Sequence, residues 1–242
     1  MISVCMATYN GEKYIKEQVN SILSQLGEQD EIIVSDDGST DNTISILTSY
    51  KDRRIHVYDH LFCGKKDCVG DVVSANFEHA ISMAKGDYIF LADQDDIWID
   101  GKVEKMVKAL QNAHVVVSNA WMLYNDNIGN CHRLLYEKRT PLHNYFMRRG
   151  KYYGCCMALR RDALEYVLPF PDPIPLHDTW LGLLPELVGG AIFLNEPLIY
   201  YRCHSLNVSR HVHNSLLFKI KYRFRLLFQI VKRALIYKTK SK

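Results

Sequence analysis

Apolar and polar positions alternate along the first half of the chain in a way that predicts strands and helices in turn. Short apolar runs bounded by turn residues are typical of buried strands, and apolar residues three and four positions apart are typical of helices. The runs predict strands at 2–7, 31–35, 54–58, 88–92 and 114–118. Helical spacing predicts helices at 12–25, 40–50, 72–84 and 100–111. This alternation is typical of an α/β fold with a mainly parallel sheet.

The second half of the chain has weaker periodicity, and its elements are shorter. A turn-rich stretch at 125–130 joins two strands, and the basic, aromatic residues 132–152 predict a loop. Further strands are predicted at 153–160, 191–194 and 198–203. Helices are predicted at 162–167 and 177–188, separated by a proline-rich connection.

Polar residues directly follow three of the predicted parallel strands. Because ligands of such sheets bind at the carboxyl ends of the strands, these residues define one candidate site. They are Thr8 and Tyr9 after the first strand, Asp36 and Asp37 after the second, and Asp93, Asp95 and Asp96 after the fourth.

Three carboxylates within four positions, Asp93, Asp95 and Asp96, repel one another at the end of a buried strand. A divalent cation would relieve that repulsion, and Mg²⁺ or Mn²⁺ prefers carboxylate oxygen. Two alternatives stay open: a solvated acidic turn, and Asp96 as the cap of the following helix.

Composition bounds the class of protein. The 242 residues are 48% hydrophobic and 24% charged, as in globular proteins. Seven cysteines, with no C-x-x-C pair and no recognisable signal peptide, indicate reduced thiols and a cytoplasmic location. A zinc site at His60, Cys63 and Cys68 is disfavoured, because the spacing is unusual and a fourth ligand is missing.

The charge is distributed unevenly. From Pro197 onward there are eleven Lys or Arg and no Asp or Glu, whereas the first 196 residues carry a net charge of −8. Residues 213–237 read as one helix with the apolar residues Leu216, Leu217, Ile220, Phe224, Leu227, Phe228, Val231 and Leu235 on one face. This pattern favours a helix lying on an anionic membrane surface. Packing on the body or in a homodimer is the alternative, and nucleic-acid binding is disfavoured.

Four separated segments resemble the family 2 glycosyltransferases in type and order. They are SVCMATYNGEKYIKEQVNSIL, IIVSDDGSTDNT, AKGDYIFLADQDDIW and IPLHDTWLG. The D-Q-D-D-I-W form is most similar to bacterial rhamnosyltransferases of surface polysaccharide assembly. The resemblance implies a GT-A fold, in which a Rossmann-like nucleotide-binding sheet merges with an acceptor half. We therefore expect a nucleotide-sugar half at 1–119, an acceptor half at 120–211, and a separate basic helix at 212–242.

The resemblance also implies the contacts of the donor, a UDP- or dTDP-sugar. Asp95 would bind Mn²⁺ or Mg²⁺, Asp93 the metal or the ribose, and His204 the metal or a phosphate. Asp37, rather than Asp36, would accept the N3–H of the base. Asp36 is expected among the donor contacts as well, with turn formation as the alternative for this pair. The remaining donor contacts would come from Ala7 and Thr8 (backbone), Tyr9 (base stacking), Asn76 (sugar) and Arg202 (diphosphate).

On the acceptor side, the resemblance implies that Asp178 is the general base of an inverting transfer. The preceding residue, His177, would contact the acceptor. The family often has Glu at this position, which puts the role of His177 in doubt. Trp180 would stack on a sugar or would lie in the core. The acceptor would be a lipid-linked or oligosaccharide glycan at the inner face of the cell membrane. The alternatives are a nucleotidyltransferase and a non-catalytic membrane scaffold.

Overall fold

The computed structural model describes residues 1–60, 69–124, 127–133, 152–174, 176–204 and 216–240. The predicted alternation of strands and helices in the first half is confirmed. Its strands are β1 (Ile2–Thr8), β2 (Glu31–Asp36), β3 (Ile55–Asp59), β4 (Tyr88–Ala92), β5 (Ile97–Trp98) and β6 (Val115–Tyr124). Its helices are α1 (Ile15–Leu23), α2 (Thr43–Ser49), α3 (Val69–Met83) and α4 (Lys102–Leu110).

The second half contributes further strands and three helices to the described structure. The strands are β7 (Asn127–Arg133), β8 (Met157–Arg160) and β9 (Ala191–Cys203). The helices are α5 (Leu164–Val167), α6 (His177–Val188) and α7 (Leu216–Lys240). The loop predicted at 132–152 lies almost wholly outside the described residues.

One sheet runs through the molecule in the order β3-β2-β1-β4-β8-β6-β9-β5, with β7 beside β6. The strands from β3 to β4 are parallel, as predicted. Beyond β4 the sheet is mixed and departs in part from the predicted parallel arrangement: β8 is antiparallel to both β4 and β6, and β5 is antiparallel to β9, whereas β6 and β9 are parallel.

Side chains that alternate along the parallel strands fill two apolar layers, one on each face of the sheet. On one face Val4 and Met6 pack with residues of α1, α2 and α4, such as Ile15 and Met106. On the other face Cys5 joins a cluster that includes residues of α3, α6 and α7. The strands that end at the candidate site are therefore buried on both sides.

Three predicted strands differ from the structure. The stretch 153–160 begins with a 3₁₀ turn at Gly154–Cys156 and becomes a strand only at Met157. The strands predicted at 191–194 and 198–203 form the single strand β9, which continues through Pro197. The register of β9 against β6 shifts on both sides of the Asn119–Pro197 pair, and this irregularity accommodates the proline.

The C-terminal helix α7 packs against the body rather than standing apart from it. Leu226, Ile230 and Ala234 are buried in the same apolar cluster as residues of α6. The helix predicted at 213–237 is thus confirmed as a helix, and the alternative that it packs on the body is correct for one of its faces. Within the described residues, no helix is long and apolar enough to cross a membrane.

Candidate active site

The carboxyl ends of β1, β2 and β4 meet at one edge of the sheet, as the sequence predicts. Thr8 pairs with Asp36 across β1 and β2, and the backbone N–H of Asp37 donates to the Thr8 carbonyl at 3.0 Å. Gln94 binds the backbone of Tyr9 twice, since its Oε1 accepts from the Tyr9 N–H at 2.9 Å and its Nε2 donates to the Tyr9 carbonyl at 3.0 Å. The loops after β1 and β4 are therefore held together directly.

Asp36 supports the loops and does not face a ligand. It is 2% exposed, and its carboxylate accepts hydrogen bonds from Thr8 Oγ1 at 2.7 Å, from Ser39 N at 2.7 Å and from Ser39 Oγ at 2.6 Å. The prediction that Asp36 contacts the donor is therefore wrong, and the turn-forming alternative fits. The Thr8 side chain is occupied by the same network, and its carbonyl accepts from the Asp37 N–H.

Asp37 and Tyr9 present the accessible groups of this edge. The Asp37 side chain is 18% exposed and lies beside His60, with 3.7 Å between Asp37 Oδ1 and His60 Nδ1. The Tyr9 ring is 56% exposed, which suits an aromatic stacking surface. Ala7 is partly buried at the end of β1. Asn76 is buried, and its Nδ2 lies 3.4 Å from the Thr8 carbonyl, so it braces the β1 loop.

The acid turn, which we define as residues 93–96, brings its carboxylates close to the thiol of Cys155. Ligand atoms of Asp93, Asp96 and Cys155 all lie within 4.8 Å of one another. Burial and the neighbouring charge of Asp95 raise the pKa of Asp93, and the same causes raise the pKa of Asp96 well above its ordinary value. The turn therefore holds more negative charge than its buried surroundings favour.

Asp96 and Asp95 have different partners. Asp96 is 1% exposed and its Oδ1 accepts from the backbone N–H of Arg202 at 2.9 Å. The prediction that Asp96 caps the following helix is wrong, because the cap position of α4 is Gly101. Asp95 Oδ2 lies 2.7 Å from His204 Nε2, and the side chains of this pair are 14% and 16% exposed.

Arg202 holds the acid turn from the end of β9. Its Nε donates to the Asp95 carbonyl at 2.8 Å, its guanidinium pairs with Glu17, and it stacks over the Tyr14 ring at 4.6 Å. The side chain is 4% exposed. Arg202 thus positions the Asp95 backbone, and this geometry does not support the predicted contact with the diphosphate.

A buried lysine supports the turn from below. Lys102 is 0% exposed, its Nζ donates to the Cys155 carbonyl at 2.9 Å, and it lies 4.9 Å from the centre of the Trp98 ring. Burial lowers the pKa of Lys102, while the nearby charge of Asp96 acts in the opposite direction. A cation at this position offsets part of the negative charge above it.

The residues of the turn fit a hard divalent cation. The charge of Asp95 helps to raise the pKa of the buried Asp93, and a cation bound beside these carboxylates would offset that charge. The predicted set of Asp93, Asp95 and His204 offers two carboxylates, which suit Mn²⁺ or Mg²⁺, and an imidazole, which softer ions prefer. The cluster that the structure brings together differs from that set, since it consists of Asp93, Asp96 and Cys155. Cys155 is a poor ligand for such an ion, because its hydrogen bond to Cys156 and its burial raise its pKa well above the ordinary value.

Asp178 lies in the first turn of α6, facing the 3₁₀ turn that leads into β8. A methyl group added at Gly154 would lie 3.9 Å from the Asp178 Cβ and 3.3 Å from His177 Nε2. Asp178 does not cap the helix, which begins at His177 after Leu176. Burial raises the pKa of Asp178 to about 6. The pKa of Asp93 is raised by burial, by the charge of Asp95 and, to a smaller extent, by the charge of Asp178. The acid turn meets the same 3₁₀ turn at Cys155.

His177 and Trp180 have structural contacts. The His177 ring stacks on Phe77 with 4.4 Å between centres, its Nδ1 lies 3.3 Å from Ser74 Oγ, and burial lowers its pKa to about 4. Trp180 is 0% exposed, and its Nε1 donates to the Val167 carbonyl at 2.9 Å. The prediction that Trp180 contacts the acceptor is wrong, because the inward face of α6 carries it into the core.

Four residues that the sequence reasoning missed shape this edge. Gln94, Lys102 and Tyr14 are described above, and Gln18 donates from Nε2 to the Asp93 carbonyl at 2.8 Å. Only Gln94 had a readable signal, since it lies between the aspartates of D-Q-D-D. The other three lie on helices far along the chain from their partners, and no spacing rule points to them.

Comparison with known proteins identifies the class. The fold is that of the GT-A glycosyltransferases: TarS of S. aureus, in complex with UDP-GlcNAc, superposes with a TM-score of 0.69 at 19% identity, over 96% of this chain and 66% of that one. Glucosyl-3-phosphoglycerate synthase from Mycobacterium tuberculosis, in complex with Mn²⁺, UDP and phosphoglyceric acid, has a TM-score of 0.59 at 19% identity, over 97% of this chain and 78% of that one.

Sequence comparison then names the family. Residues 3–168 match the model of glycosyl transferase family 2, and the chain belongs to that family. A dTDP-rhamnosyl transferase of Shigella flexneri, RfbG, is 29% identical over 231 residues, which cover 90% of this chain and 77% of the relative. The resemblance to family 2 glycosyltransferases that the four segments carry is thereby confirmed.

Proposed function

We propose that this protein transfers a sugar, with inversion, from a UDP- or dTDP-sugar to a hydroxyl group of a growing glycan. One observation carries the proposal: the acid turn and Asp178, which come from different halves of the chain, both lie against the 3₁₀ turn Gly154–Cys156, the acid turn at the Cys155 thiol and Asp178 at Gly154. Sugar transfer requires the leaving diphosphate and the attacking hydroxyl to lie on either side of the same anomeric carbon. The acid turn would serve the diphosphate, and Asp178 would serve the hydroxyl. The family match favours sugar transfer over the nucleotidyl transfer that the acidic residues alone left open.

The base of the donor would lie between Tyr9 and Asp37. The exposed Tyr9 ring offers a stacking surface, and the Asp37 carboxylate accepts the N3–H that uracil and thymine share. The RfbG relative acts on a dTDP-sugar and TarS binds UDP-GlcNAc, which supports a pyrimidine donor without choosing between the two.

Asp95, Asp93 and His204 would hold Mn²⁺ or Mg²⁺ against the donor diphosphate. The bound ion would neutralise the charge that develops on the departing nucleotide. The protein prepares this place by fixing the turn: Arg202 binds the Asp95 carbonyl, and Gln18 binds the Asp93 carbonyl. His204 orients the Asp95 carboxylate through their contact of 2.7 Å.

Asp178 would remove the proton of the acceptor hydroxyl as its oxygen attacks the anomeric carbon. A base works best when its pKa lies close to the working pH, and a pKa of about 6 places Asp178 near that optimum while keeping it mostly ionised at neutral pH. His177 remains neutral under the same conditions and packs beside it.

The acceptor would be a lipid-linked or oligosaccharide glycan presented at the inner face of the cell membrane. The basic C-terminal helix supports this placement, since a helix with apolar and cationic faces suits an anionic membrane surface. A non-catalytic scaffold of the same fold would gain nothing from the ordered carboxylates, which disfavours that alternative.

A donor screen tests the proposal. Purified protein with Mn²⁺ receives UDP-glucose, UDP-galactose, UDP-N-acetylglucosamine and dTDP-rhamnose in turn, and release of nucleoside diphosphate is measured with and without EDTA. We expect one donor to be hydrolysed slowly in the absence of acceptor, and only with metal. Asp178→Asn serves as the matched variant, because it removes the base and leaves the donor contacts in place. Donor turnover that persists in EDTA would contradict the proposal.

A further inference from the structure

The helix α7 has two apolar faces, and among the residues that the structure describes only one of these faces is covered by the rest of the chain. Leu226, Ile230 and Ala234 recur at intervals of four residues and are 2%, 0% and 7% exposed. They form the inner face, which packs into the core cluster beside α6. A helix that merely completed the fold would need no second apolar face.

Polar and aromatic contacts fix the orientation of the inner face. Arg233 donates to the carbonyls of Tyr166 and Leu168 at 3.1 Å and to that of Pro169 at 3.0 Å. The Tyr237 ring lies 4.7 Å from that of Tyr166. These contacts tie α7 to the segment that leads into α6, so the helix cannot rotate to bury its other face.

The outer face is a continuous apolar stripe. Five residues at positions i, i+4, i+8, i+11 and i+15 line it, with exposures between 41% and 66%. They are Ile220, Phe224, Phe228, Val231 and Leu235. Contiguous exposed apolar surface of this kind marks an interaction site, whereas single exposed apolar residues are common and need no explanation.

Cations flank the outer stripe. Lys221 precedes Phe224 by three residues and Lys232 follows Phe228 by four, so each side chain is a neighbour of the stripe on the helix surface. Both are exposed, as is Arg225 between them. The whole helix contains no Asp or Glu. The surface that meets the stripe must therefore tolerate apolar side chains and carry negative charge beside them.

We propose that the outer stripe of α7 docks on an anionic lipid bilayer, with the helix axis parallel to the membrane plane. Apolar side chains enter the acyl region, and the flanking lysines meet the anionic headgroups. A second copy of this chain fits less well as the partner. In a two-fold contact the outer stripes of the two copies would face each other, and the cations beside one stripe would lie close to the same cations of the other copy. The inference deepens the proposed function by naming the partner and the face that binds it.

Binding to vesicles tests the proposal with the full chain. Flotation is measured with vesicles of phosphatidylcholine alone and with vesicles of equal parts phosphatidylcholine and phosphatidylglycerol. We expect binding to the anionic vesicles only, weakening as salt is raised. Replacing Phe224→Ser and Phe228→Ser together should lower the partition coefficient about a hundredfold, since burying each ring favours binding by roughly tenfold or more.

Two further variants separate the contribution of the basic side chains from that of the apolar stripe. Lys221→Gln with Lys232→Gln should weaken binding to anionic vesicles about 25-fold, because each basic group contributes roughly fivefold. Ile236→Ser is the matched control: Ile236 is 42% exposed but lies about 120° around the helix from the centre of the stripe. Its binding should equal that of the unmodified chain.

Three results would overturn the proposal. The first is no binding of the unmodified chain to anionic vesicles, and the second is equal loss of binding in the Ile236→Ser control. The third is a dimer in lipid-free solution that the paired phenylalanine substitutions convert to monomers, which would assign the stripe to a second copy. None of these readouts uses a donor or turnover, so they stand apart from the donor screen.

Discussion

Replacing Asp178 by asparagine should raise the stability of the protein and abolish most of its activity. Burial raises the pKa of Asp178 to about 6 from an ordinary value of 3.8. The folded protein therefore binds the proton more tightly than the unfolded chain does. For an acid shifted in this direction, the ionised carboxylate destabilises the fold above pH 6, and the penalty disappears as the pH falls below the unfolded pKa.

The size of the effect follows from that shift. A difference of about two pKa units corresponds to about 3 kcal/mol of unfolding free energy at pH 7, as an upper limit because the side chain is half-buried. Asparagine keeps an oxygen that can accept the 2.6 Å hydrogen bond from the Thr179 N–H, so the substitution removes chiefly the charge. We expect up to about 3 kcal/mol of stabilisation at pH 7 and little difference at pH 3.5.

Activity should change in the opposite direction. Removing a positioned general base costs about 10²–10⁴ in rate. In the unmodified enzyme, a base with a pKa of about 6 should make transfer at pH 5 about tenfold slower than at pH 7. The Asp178→Asn variant should lose this acid limb as well as the rate.

Denaturant unfolding at pH 7 and pH 3.5, and initial rates of nucleoside diphosphate release from pH 5 to pH 8, measure both effects. Donor binding is titrated at each pH, because the carboxylates of the acid turn also take up protons. A variant with full activity, or one whose stability at pH 7 equals that of the unmodified protein, would refute the reasoning about Asp178.

Three further predictions follow from the contacts of the site. Trp180→Ala should lower the unfolding free energy by about 3–5 kcal/mol in denaturant titrations, with the donor KM unchanged in the fraction that folds. His204→Ala should weaken the apparent Mn²⁺ affinity, titrated through activity, about 10- to 100-fold; unchanged affinity would remove His204 from the metal site. Asp36→Ala should cost about 3 kcal/mol or more in stability, because three hydrogen-bond donors lose their acceptor, and a neutral result would contradict its supporting role.

The parallel half of the fold and its ligand edge were predictable from sequence because both depend on local signals. Buried strands such as β4 read as apolar runs, and the polar residues after them, Asp37 and Asp95, lie where the topology of a parallel sheet places ligand sites. The roles of individual residues were less predictable. Asp36 and Asp37 are adjacent in sequence, and only the hydrogen bonds from Thr8 and Ser39 show which carboxylate is committed to the loops.

The features that the sequence did not predict have a common cause: each depends on contact between distant parts of the chain. Trp180 follows the candidate base by two residues, and nothing in the sequence shows that its indole N–H meets a carbonyl 13 residues earlier. Lys102 reads as a surface helix residue, yet it lies beneath the acid turn. Strand β5 has two residues and is defined only by its pairing with β9. Periodicity carries no information about such partners.

The C-terminal helix shows how one pattern can hide two surfaces. The sequence reasoning identified the stripe that includes Phe224 and Phe228, and this stripe is exposed in the structure. The face that holds the helix to the body, built around Leu226 and Ile230, was overlooked because its apolar residues are interleaved with arginines. Each of the two interpretations therefore describes one face of the helix. The inner face packs on the body, and the outer face is apolar and exposed.

The most direct test of the central claim is metal-dependent binding of the nucleotide at Asp95. Thermal unfolding is followed with UDP or dTDP in Mn²⁺ and in EDTA, for the unmodified chain and for Asp95→Asn. We predict that one nucleotide at about 100 times its Kd stabilises the unmodified protein by about 2.7 kcal/mol with Mn²⁺, and that EDTA or Asp95→Asn removes most of that gain. Equal stabilisation in EDTA, or an Asp95→Asn variant that responds like the unmodified chain, would contradict the account.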